Sequence, residues 1–377
     1  MGCLPSLKDH VLLLLAIKPE DKLVDFDHIL EKIGRDTDSS RREIITALSS
    51  LIDEGLVEKV GDRFRITVEG RKLAERFVNV EGLNRSYRLV LEARLYYPGI
   101  SEYILPFLVN RPVSVIKVFS DDSNPLHKVK PIFNRYRRRK PRVYNYVRSG
   151  RELMSYVNMH VVDFIPYVHR EGESHPDWFI IDIDAGDDIK NAGDVGFELV
   201  KEVTQIAVNV LVEKFGVHAS VKFSGSRGFQ IWAVFDGPLG SFEDYRKGVI
   251  VIQRYVEEEI KRIGYDNLKE KYGDIVGVPL TTSTVAKRGE RRKQILFDWS
   301  SLKPEGDVRA PYSIHYKTGL ISVPVNSLNV SDFVFEMANF RSVLRNIKVI
   351  SSYFSLEKSS SIRLVEEIKS FGLLSLL

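Results

Sequence analysis

The sequence predicts an α+β fold in three consecutive parts: helices with a small β-hairpin over residues 1–80, a mixed domain over 84–328 and a helical tail over 329–377. Two observations support this prediction. Apolar residues recur at helical intervals near both ends of the chain, whereas the middle contains apolar strands separated by glycine-containing turns. The chain also has 377 residues, 44% of them hydrophobic, which is sufficient for several buried cores.

Composition narrows the class of protein. The formal net charge of +4 is compatible with a nucleic-acid partner but does not by itself require one. The single cysteine, Cys3, excludes internal disulfides and cysteine-based zinc sites and favours a reducing compartment. The apolar run from Val11 to Ile17 is too short to span a bilayer, so it predicts a core helix. We therefore expect a cytoplasmic protein without a membrane partner.

The first part of the chain predicts helices followed by a hairpin. Helical spacing covers Leu7 to Ile17, Val24 to Ile33, Ser39 to Asp53 and Glu69 to Val78. Alternating residues from Gly55 to Val60 and from Arg63 to Val68 flank Gly61-Asp62, which predicts two strands joined by a two-residue turn. This order of elements resembles a winged-helix domain.

The winged-helix resemblance implies DNA contact through two elements. In that family the third helix, which here carries Arg41 and Arg42 near its start, can enter a major groove. The wing, which here carries Arg63 and Arg65, can touch the phosphate backbone. Many winged helices bind only protein, and the basic residues are few here, so a protein-binding role stays open.

A basic arm follows a predicted helix and strand that run from Ala93 to Phe119. Its eight cations lie within fifteen residues: Lys128, Lys130, Arg135, Arg137, Arg138, Arg139, Lys140 and Arg142. Aromatic residues, among them Phe133 and Tyr136, are interleaved with them. Cations at this density repel one another unless an anion is near, and the rings can stack on bases, which favours contact with a nucleic acid. The alternative is a solvated charged face.

An acidic strand organises the middle of the chain. Between Asp177 and Asp188, apolar residues alternate with Asp182 and Asp184 before Gly186 ends the pattern. Strand geometry places both carboxylates on one face, about 7 Å apart along the backbone. Carboxylate oxygens suit Mg²⁺ or Mn²⁺, which commonly bridge to a substrate phosphate. Taken alone, the pattern also fits a strand with a solvated acidic face.

A glycine-containing turn, Phe223-Ser-Gly-Ser-Arg-Gly-Phe-Gln-Ile-Trp232, separates two further apolar strands. Gly225 and Gly228 allow backbone amides to approach a ligand closely. Ser224, Ser226 and Arg227 offer hydroxyl and guanidinium donors, a set that suits a triphosphate. An ordinary hairpin turn is the alternative for this segment considered by itself.

Two later segments add candidate site residues. The stretch from Gln294 to Trp299 repeats the pattern of apolar residues followed by aspartate, and it makes Asp298 the candidate third carboxylate. A basic loop over residues 287–293 precedes it. Further on, His315 and Lys317 lie at a predicted turn into a last strand.

The C-terminal tail predicts two helices and a hinge. Helical spacing covers Ser331 to Tyr353, where Phe333, Met337, Phe340 and Leu344 recur at intervals of three or four, and it covers Ile362 to Leu376. The serine-rich segment from Leu356 to Ser361 between them predicts a hinge.

The order of these motifs resembles the archaeo-eukaryotic primase superfamily: Asp-x-Asp on a strand, Ser-Gly-x-x-Gly in a hairpin, a lone Asp on a later strand, then Ser-x-His-x-Lys-Thr-Gly. The resemblance covers residues 87–326 and is nearest to the polymerase domain of bacterial end-joining ligases (ligase D). The stretches that carry it are Tyr96-Tyr97, Leu105–Leu108, Arg111–Ser114, His160–Pro166, Asp177–Asp188 and Arg309–Ser313. The ending Lys317–Pro324 is more similar to replicative primase catalytic subunits.

This resemblance implies a catalytic core with an RRM-like sheet half and a second α/β half. It implies a template-directed nucleotidyltransferase that adds nucleotides to a primer 3′-hydroxyl with two Mg²⁺ or Mn²⁺ ions. Asp182, Asp184 and Asp298 would hold the metals. The nucleoside triphosphate would contact Ser224, Ser226, Arg227, Gln230, His315 and, on a looser match, Lys128. DNA would be the template and primer.

Two departures from the family pattern keep other functions open. Gln230 stands where the family has a histidine that faces the triphosphate, which favours a catalytically weak or silent DNA-binding protein that keeps the fold. A metal-dependent phosphodiesterase is the third candidate function, because clustered aspartates also serve that class of enzyme. The chain also lacks the zinc-binding cysteines of replicative primase subunits and a ligase or nuclease domain, so we expect separately encoded replication or repair partners.

Overall fold

The computed structural model describes residues 4–283 and 291–374, with side chains up to residue 370. Cys3, residues 287–290 of the predicted basic loop and the end of the predicted last helix lie outside these ranges. The chain divides into two compact units. The first contains residues 1–105, 115–143 and 147–164, and the second contains residues 106–114, 144–146 and 165–377.

The first unit begins with four helices and a small antiparallel sheet. The elements are α1 (Leu7–Ala16), β1 (Val24–Asp25), α2 (Phe26–Thr37), α3 (Arg41–Asp53), β2 (Val57–Val60), β3 (Arg63–Ile66) and α4 (Val68–Ala74). The strand order is β1-β3-β2. Capping boxes start α1 at Ser6 and α3 at Ser40, because in each case an acidic side chain three residues later bonds back to the cap. The predicted helices and hairpin are confirmed as elements.

One predicted boundary in this segment is wrong. Val24 and Asp25 do not start a helix, because they pair with Phe64 and Arg63 as a third strand. The helix runs instead from Phe26 to Thr37, and the left-handed residue Asp38 ends it.

The remaining elements before the acidic strand are α5 (Arg85–Leu108), β4 (Val113–Ser120), β5 (Val129–Asn134), β6 (Tyr136–Arg138), β7 (Val143–Tyr144), α6 (Gly150–Asn158) and β8 (Val161–Pro166). The predicted helix and strand between residues 93 and 119 correspond to α5 and β4. Part of the basic arm is strand, since β5 pairs antiparallel with β4, which also neighbours β8. Hydrogen bonds inside the first unit join the N-terminal helices to later residues, among them Asn84 Nδ2 to Asp36 Oδ2 at 2.6 Å and Arg94 Nη1 to the Lys18 carbonyl at 2.7 Å.

The second unit is built on one mixed sheet. Its strands are β9 (Phe179–Ala185), β10 (Ser220–Phe223), β11 (Phe229–Phe235), β12 (Thr281–Thr282), β13 (Ile295–Asp298), β14 (Pro324–Val325) and β15 (Lys358–Ser359). Its helices are α7 (Asp187–Asn191), α8 (Asp194–Asn209), α9 (Phe242–Ile263), α10 (Tyr265–Tyr272), α11 (Phe340–Ser352) and α12 (Ile362–Leu374). The strand order is β12-β13-β9-β11-β10-β14, and β15 pairs parallel with β11.

The two faces of β9 differ in chemistry, as the alternation predicts. Phe179, Ile181 and Ile183 are buried, and the Phe179 ring packs against α9 beside Gly248. Because side chains alternate along a strand, Asp182 and Asp184 point to the opposite face. Helix packing on one face thus leaves the carboxylates on the other.

The tail differs from its predicted form. Residues 330–332 and 335–338 form short 3₁₀ turns, and α11 begins only at Phe340, where the Asn339 side chain caps the Arg341 amide. Met337 is therefore 44% exposed, whereas Phe333 is buried. The predicted hinge is also wrong, because β15 lies within it and pairs with Val234 and Phe235 of β11. Along the described parts of the chain, no helix is both long and apolar enough to cross a membrane.

Candidate active site

A row of polar residues crosses four neighbouring strands of the second unit. Asp298 pairs with Asp182, Asp182 with Gln230, and Gln230 with Lys222. Directly opposed residues of antiparallel strands share a face, with Cβ atoms about 5 Å apart. Asp184 lies two residues beyond Asp182 on the same face of β9. The register therefore gathers three carboxylates from distant parts of the chain, while their roles as metal ligands stay predictions.

The charges of this cluster act on one another. Burial first, and then the charges of Asp184 and Asp298, raises the pKa of Asp182 to about 7. The nearby Lys222 ammonium and a hydrogen bond from the Gln230 side chain oppose this rise. Lys222 is fully buried, and its Nζ donates to Ser322 Oγ at 2.6 Å. An additional cation at the three carboxylates would relieve their mutual repulsion.

The donor set of the cluster fits a hard divalent cation. All three groups offer carboxylate oxygens, the ligands that Mg²⁺ and Mn²⁺ prefer. Asp184 Oδ1 lies 2.8 Å from Lys190 Nζ and accepts from the Ala185 amide at 3.0 Å. Asp298 Oδ1 accepts from the Ser300 amide at 2.6 Å. Within residues 4–283 and 291–374, no group of three or more His, Cys, Asp or Glu side chains is already arranged around an ion position.

The turn between β10 and β11 is held by its own serine. Ser224 Oγ accepts from the amides of Ser226 at 3.4 Å and Gly228 at 3.3 Å, and the Ser224 amide donates to the Gly228 carbonyl at 2.9 Å. Two amides that we expected to approach a ligand are therefore used inside the turn. The Ser224 hydroxyl keeps its proton for donation to a ligand.

The glycines of this turn permit close approach of protein to protein. Gly225 has a φ of +90°, and a Cβ there would lie 2.7 Å from His315 Cβ. A Cβ on Gly228 would lie 2.3 Å from the Ile183 carbonyl oxygen. The turn is thus packed directly on the acidic strand and on the histidine, a constraint that the sequence motif alone does not reveal.

His315 presents a neutral ring to the site. Its Nδ1 accepts from the amides of Lys317 and Thr318, both at 3.3 Å, so the ring proton resides on Nε2. Burial, followed by the charges of Arg309 and Lys317, lowers the pKa of His315 to about 3. A neutral Nε2–H is a hydrogen-bond donor that suits a phosphate oxygen.

One cavity of about 310 Å³ brings most of these groups together, but Asp298, which stands opposite Asp182 in the sheet, does not line it. It is lined by Asp182, Ile183, Asp184, Lys190, Ser224, Ser226, Arg227, Gly228, Gln230, Arg309, His315 and Lys317. One side is acidic, whereas the other carries cations and hydroxyls. Lys190 and Arg309 are additions to the predicted site. Arg309 belongs to a quoted family stretch and donates to the Ser224 carbonyl at 3.0 Å, whereas nothing in the local pattern distinguished Lys190.

The other predicted contact residues belong to the first unit. Lys128 precedes β5, and the basic arm Arg135, Arg137, Arg138, Arg139 and Lys140 lies in and after β5 and β6. Arg41 stacks over Phe26, with its guanidinium carbon 4.8 Å from the ring centroid, and Arg42 is exposed. Arg63 Nε already pairs with Asp25 Oδ1 at 2.7 Å, which reduces the charge that this residue offers to DNA. All these contacts stay predictions.

Residues 92–352 match the family model described as LigD, primase-polymerase domain. The chain belongs to the LigD primase-polymerase domain family. This confirms the sequence resemblance to the archaeo-eukaryotic primase superfamily. A solved structure, "Polymerase Domain from Mycobacterium tuberculosis Ligase D in complex with DNA", matches with a TM-score of 0.51 and 16% identity, covering 69% of this chain and 91% of that one. At this identity it supports the fold of a LigD primase-polymerase domain alone. A comparison with curated proteins finds no match.

Proposed function

We propose that the protein is a template-directed nucleotidyltransferase, a DNA primase-polymerase that extends a primer 3′-hydroxyl by a two-metal mechanism. The observation that carries this proposal is the cavity in which Asp182 and Asp184 face Ser226, Arg227 and further donors. A polyphosphate with its metal ions needs carboxylates on one side and cationic or hydroxyl donors on the other. The family supports the same chemistry.

The proposed role of each residue follows from the chemistry of its side chain. Asp182, Asp184 and Asp298 would hold Mg²⁺ or Mn²⁺, which would lower the pKa of the primer hydroxyl and neutralise the leaving pyrophosphate. The Ser224 hydroxyl and the Arg227 guanidinium would bind and orient the triphosphate. No covalent intermediate with the protein is required for this transfer.

Other residues that line the cavity would complete the triphosphate site. His315 would donate from Nε2 while Arg309, which already holds the Ser224 carbonyl, would keep the turn in place. Gln230 uses its amide nitrogen on Asp182, and its Oε1 is buried without a partner within the described residues. An amide oxygen accepts hydrogen bonds only, so it would take a sugar hydroxyl or a water and not a phosphate oxygen.

DNA would reach the first unit through the basic arm and the N-terminal helices. Arg137, Arg138 and Arg139 would bind phosphates, with rings of the arm available to stack on bases. The helices and hairpin at the N-terminus would act as a winged-helix domain that grips duplex DNA. The solved ligase D polymerase domain, which is in complex with DNA, supports this partner. Replication or repair proteins encoded separately would complete the pathway.

Primer extension on a DNA template with Mg²⁺ or Mn²⁺ tests the proposal. We expect the wild type to lengthen a labelled primer and the Asp182→Ala/Asp184→Ala double variant to yield no product. Ribo- and deoxynucleotides, each supplied with and without primer, distinguish a primase from a repair polymerase. Equal product from wild type and the double variant would refute the polymerase.

Gln230 favours a second candidate, a DNA-binding protein with the same fold and little or no catalysis. Replacing a charged or charge-capable donor with an amide costs about 1 to 2 kcal/mol of charge-assisted bonding. Calorimetry separates the two candidates, because a silent protein would bind duplex DNA but neither nucleotide nor metal. Release of mononucleotides from labelled DNA would point instead to a phosphodiesterase.

A further inference from the structure

Lys190 forms an ion pair at the centre of the candidate site. Its Nζ lies 2.8 Å from Asp184 Oδ1, and the two side chains are only 15% and 21% exposed. Lys190 sits on α7, which follows directly on the acidic strand. An ammonium at this oxygen takes the electrostatic place of a divalent cation, and the two cannot both coordinate the same lone pair.

The backbone that carries Lys190 is anchored independently of this ion pair. The Gly186 amide donates to the Gln294 carbonyl at 2.8 Å, and the Asp188 amide donates to the Arg292 carbonyl at 3.0 Å. A Cβ on Gly186 would lie 2.1 Å from the Arg291 carbonyl oxygen, so the chain passes too close there for any other residue. Asp188 also pairs with Arg292 Nε at 2.7 Å. Release of Asp184 therefore requires movement of the lysine side chain and not of α7.

The side chain has an alternative anion within its reach once a nucleotide is bound. The Lys190 carbonyl accepts from Arg227 Nη1 at 3.3 Å, so the residue adjoins the side of the cavity assigned to the triphosphate. A lysine is a compact charge on a flexible four-carbon stem, and it can turn from a carboxylate to a phosphate without a change in the backbone. Lys190 thus lies between the acidic side and the phosphate side.

We propose that Lys190 is the counter-ion of Asp184 before substrate binds and becomes a triphosphate ligand when a divalent cation takes that carboxylate. This inference rests on the proposed nucleotidyltransferase function. It makes metal and nucleotide binding cooperative, because each ligand removes the cost that the lysine imposes on the other. By linkage, the factor by which nucleotide tightens metal binding equals the factor by which metal tightens nucleotide binding.

The test measures binding of Mn²⁺ alone, of ATP alone and of Mn²⁺ with ATP present, by the electron paramagnetic resonance of free Mn²⁺ and by calorimetry. Lys190→Met keeps the stem and removes the charge. We expect it to tighten Mn²⁺ binding in the absence of nucleotide by about 5- to 10-fold, at the low end of typical coupling between sites. The enhancement of Mn²⁺ binding by ATP should shrink by the same factor. Lys247→Met, which removes a partly exposed lysine paired with Glu243 at 2.9 Å and away from the cavity lining, should change neither value.

The outcomes separate this inference from the function on which it rests. If the wild type binds Mn²⁺ and extends primers but Lys190→Met binds Mn²⁺ no more tightly, the role of Lys190 is wrong and the polymerase stands. If the wild type binds neither Mn²⁺ nor ATP, both proposals fall. Tighter Mn²⁺ binding with unchanged cooperativity would support the counter-ion role and overturn the transfer to the triphosphate.

Discussion

A methyl group added at Gly228 would meet the main chain of the acidic strand. The φ of Gly228 is one that any residue adopts, so Gly228→Ala introduces no backbone strain of its own. Its Cβ would lie 2.3 Å from the Ile183 carbonyl oxygen, next to Asp182 and Asp184. The added methyl group would thus push the serine turn away from the strand that carries the two carboxylates.

The size of the effect follows from that distance. Real Cβ atoms essentially never approach other atoms within 3.0 Å, so the turn must retreat from β9 by about 0.7 Å. A misplacement near 1 Å costs about 100-fold in rate when reacting groups must be aligned, so we expect kcat to fall by about 10- to 100-fold. Overpacking of this kind also destabilises a fold by about 1 to 3 kcal/mol.

Primer extension and urea unfolding together measure these two effects. Gly216→Ala is the matched control, because Gly216 has a φ of +66° and open space around its would-be Cβ. A left-handed alanine costs about 1 to 2 kcal/mol, so this variant should lose similar stability while leaving the turn in place. Its kcat at a temperature where it is fully folded should match that of the wild type.

Two results would refute this reasoning. If Gly228→Ala extends primers within about twofold of the wild type, the turn does not need its contact with β9 for catalysis. If Gly216→Ala loses as much activity as Gly228→Ala, the loss reflects stability and not the geometry of the site.

Three further predictions address stability and DNA binding. The buried Arg111 side chain donates to Asp177 Oδ2 at 2.7 Å. Arg111→Ala should therefore lower the free energy of unfolding, measured in urea, by about 3 to 5 kcal/mol, and Arg111→Lys should recover part of that loss. Burial, followed by the charges of three nearby cations, lowers the pKa of His160 to about 4, below its unfolded value of 6.5. The contribution of this residue to folding stability is therefore complete above pH 6.5 and is lost as the pH falls towards 4. Between pH 7 and pH 5 this loss should be about 2 kcal/mol, and it should vanish in His160→Asn, which tolerates the positive φ of this residue. Changing Arg137 and Arg138 to Ala should reduce the log-log salt slope of duplex binding by about 0.9 for each lost phosphate contact, and an unchanged slope would leave the arm as a solvated face.

Local sequence patterns correctly predicted the features that depend on the geometry of neighbouring residues. The alternation in β9 predicted which side chains are buried, and the turn residues between β10 and β11 predicted a hairpin. The pattern fails in the tail, where the spacing predicts that Phe333 and Met337 share a helix with Phe340, although α11 begins only at Phe340. Short 3₁₀ turns stand in place of that helix, and the Phe333 carbonyl, which a helix would use internally, accepts from Lys201 Nζ of the distant α8 at 2.9 Å.

The sequence by itself determined the order of motifs, the face on which Asp182 and Asp184 lie and the family to which the chain belongs. These follow from residue type and from short-range periodicity. The tertiary structure decided that Asp298 stands opposite Asp182, that Gly228 packs against Ile183 and that Lys190 pairs with Asp184. The reason is physical: strand register and the close approach of two backbones depend on residues far apart in the chain, which no local pattern encodes.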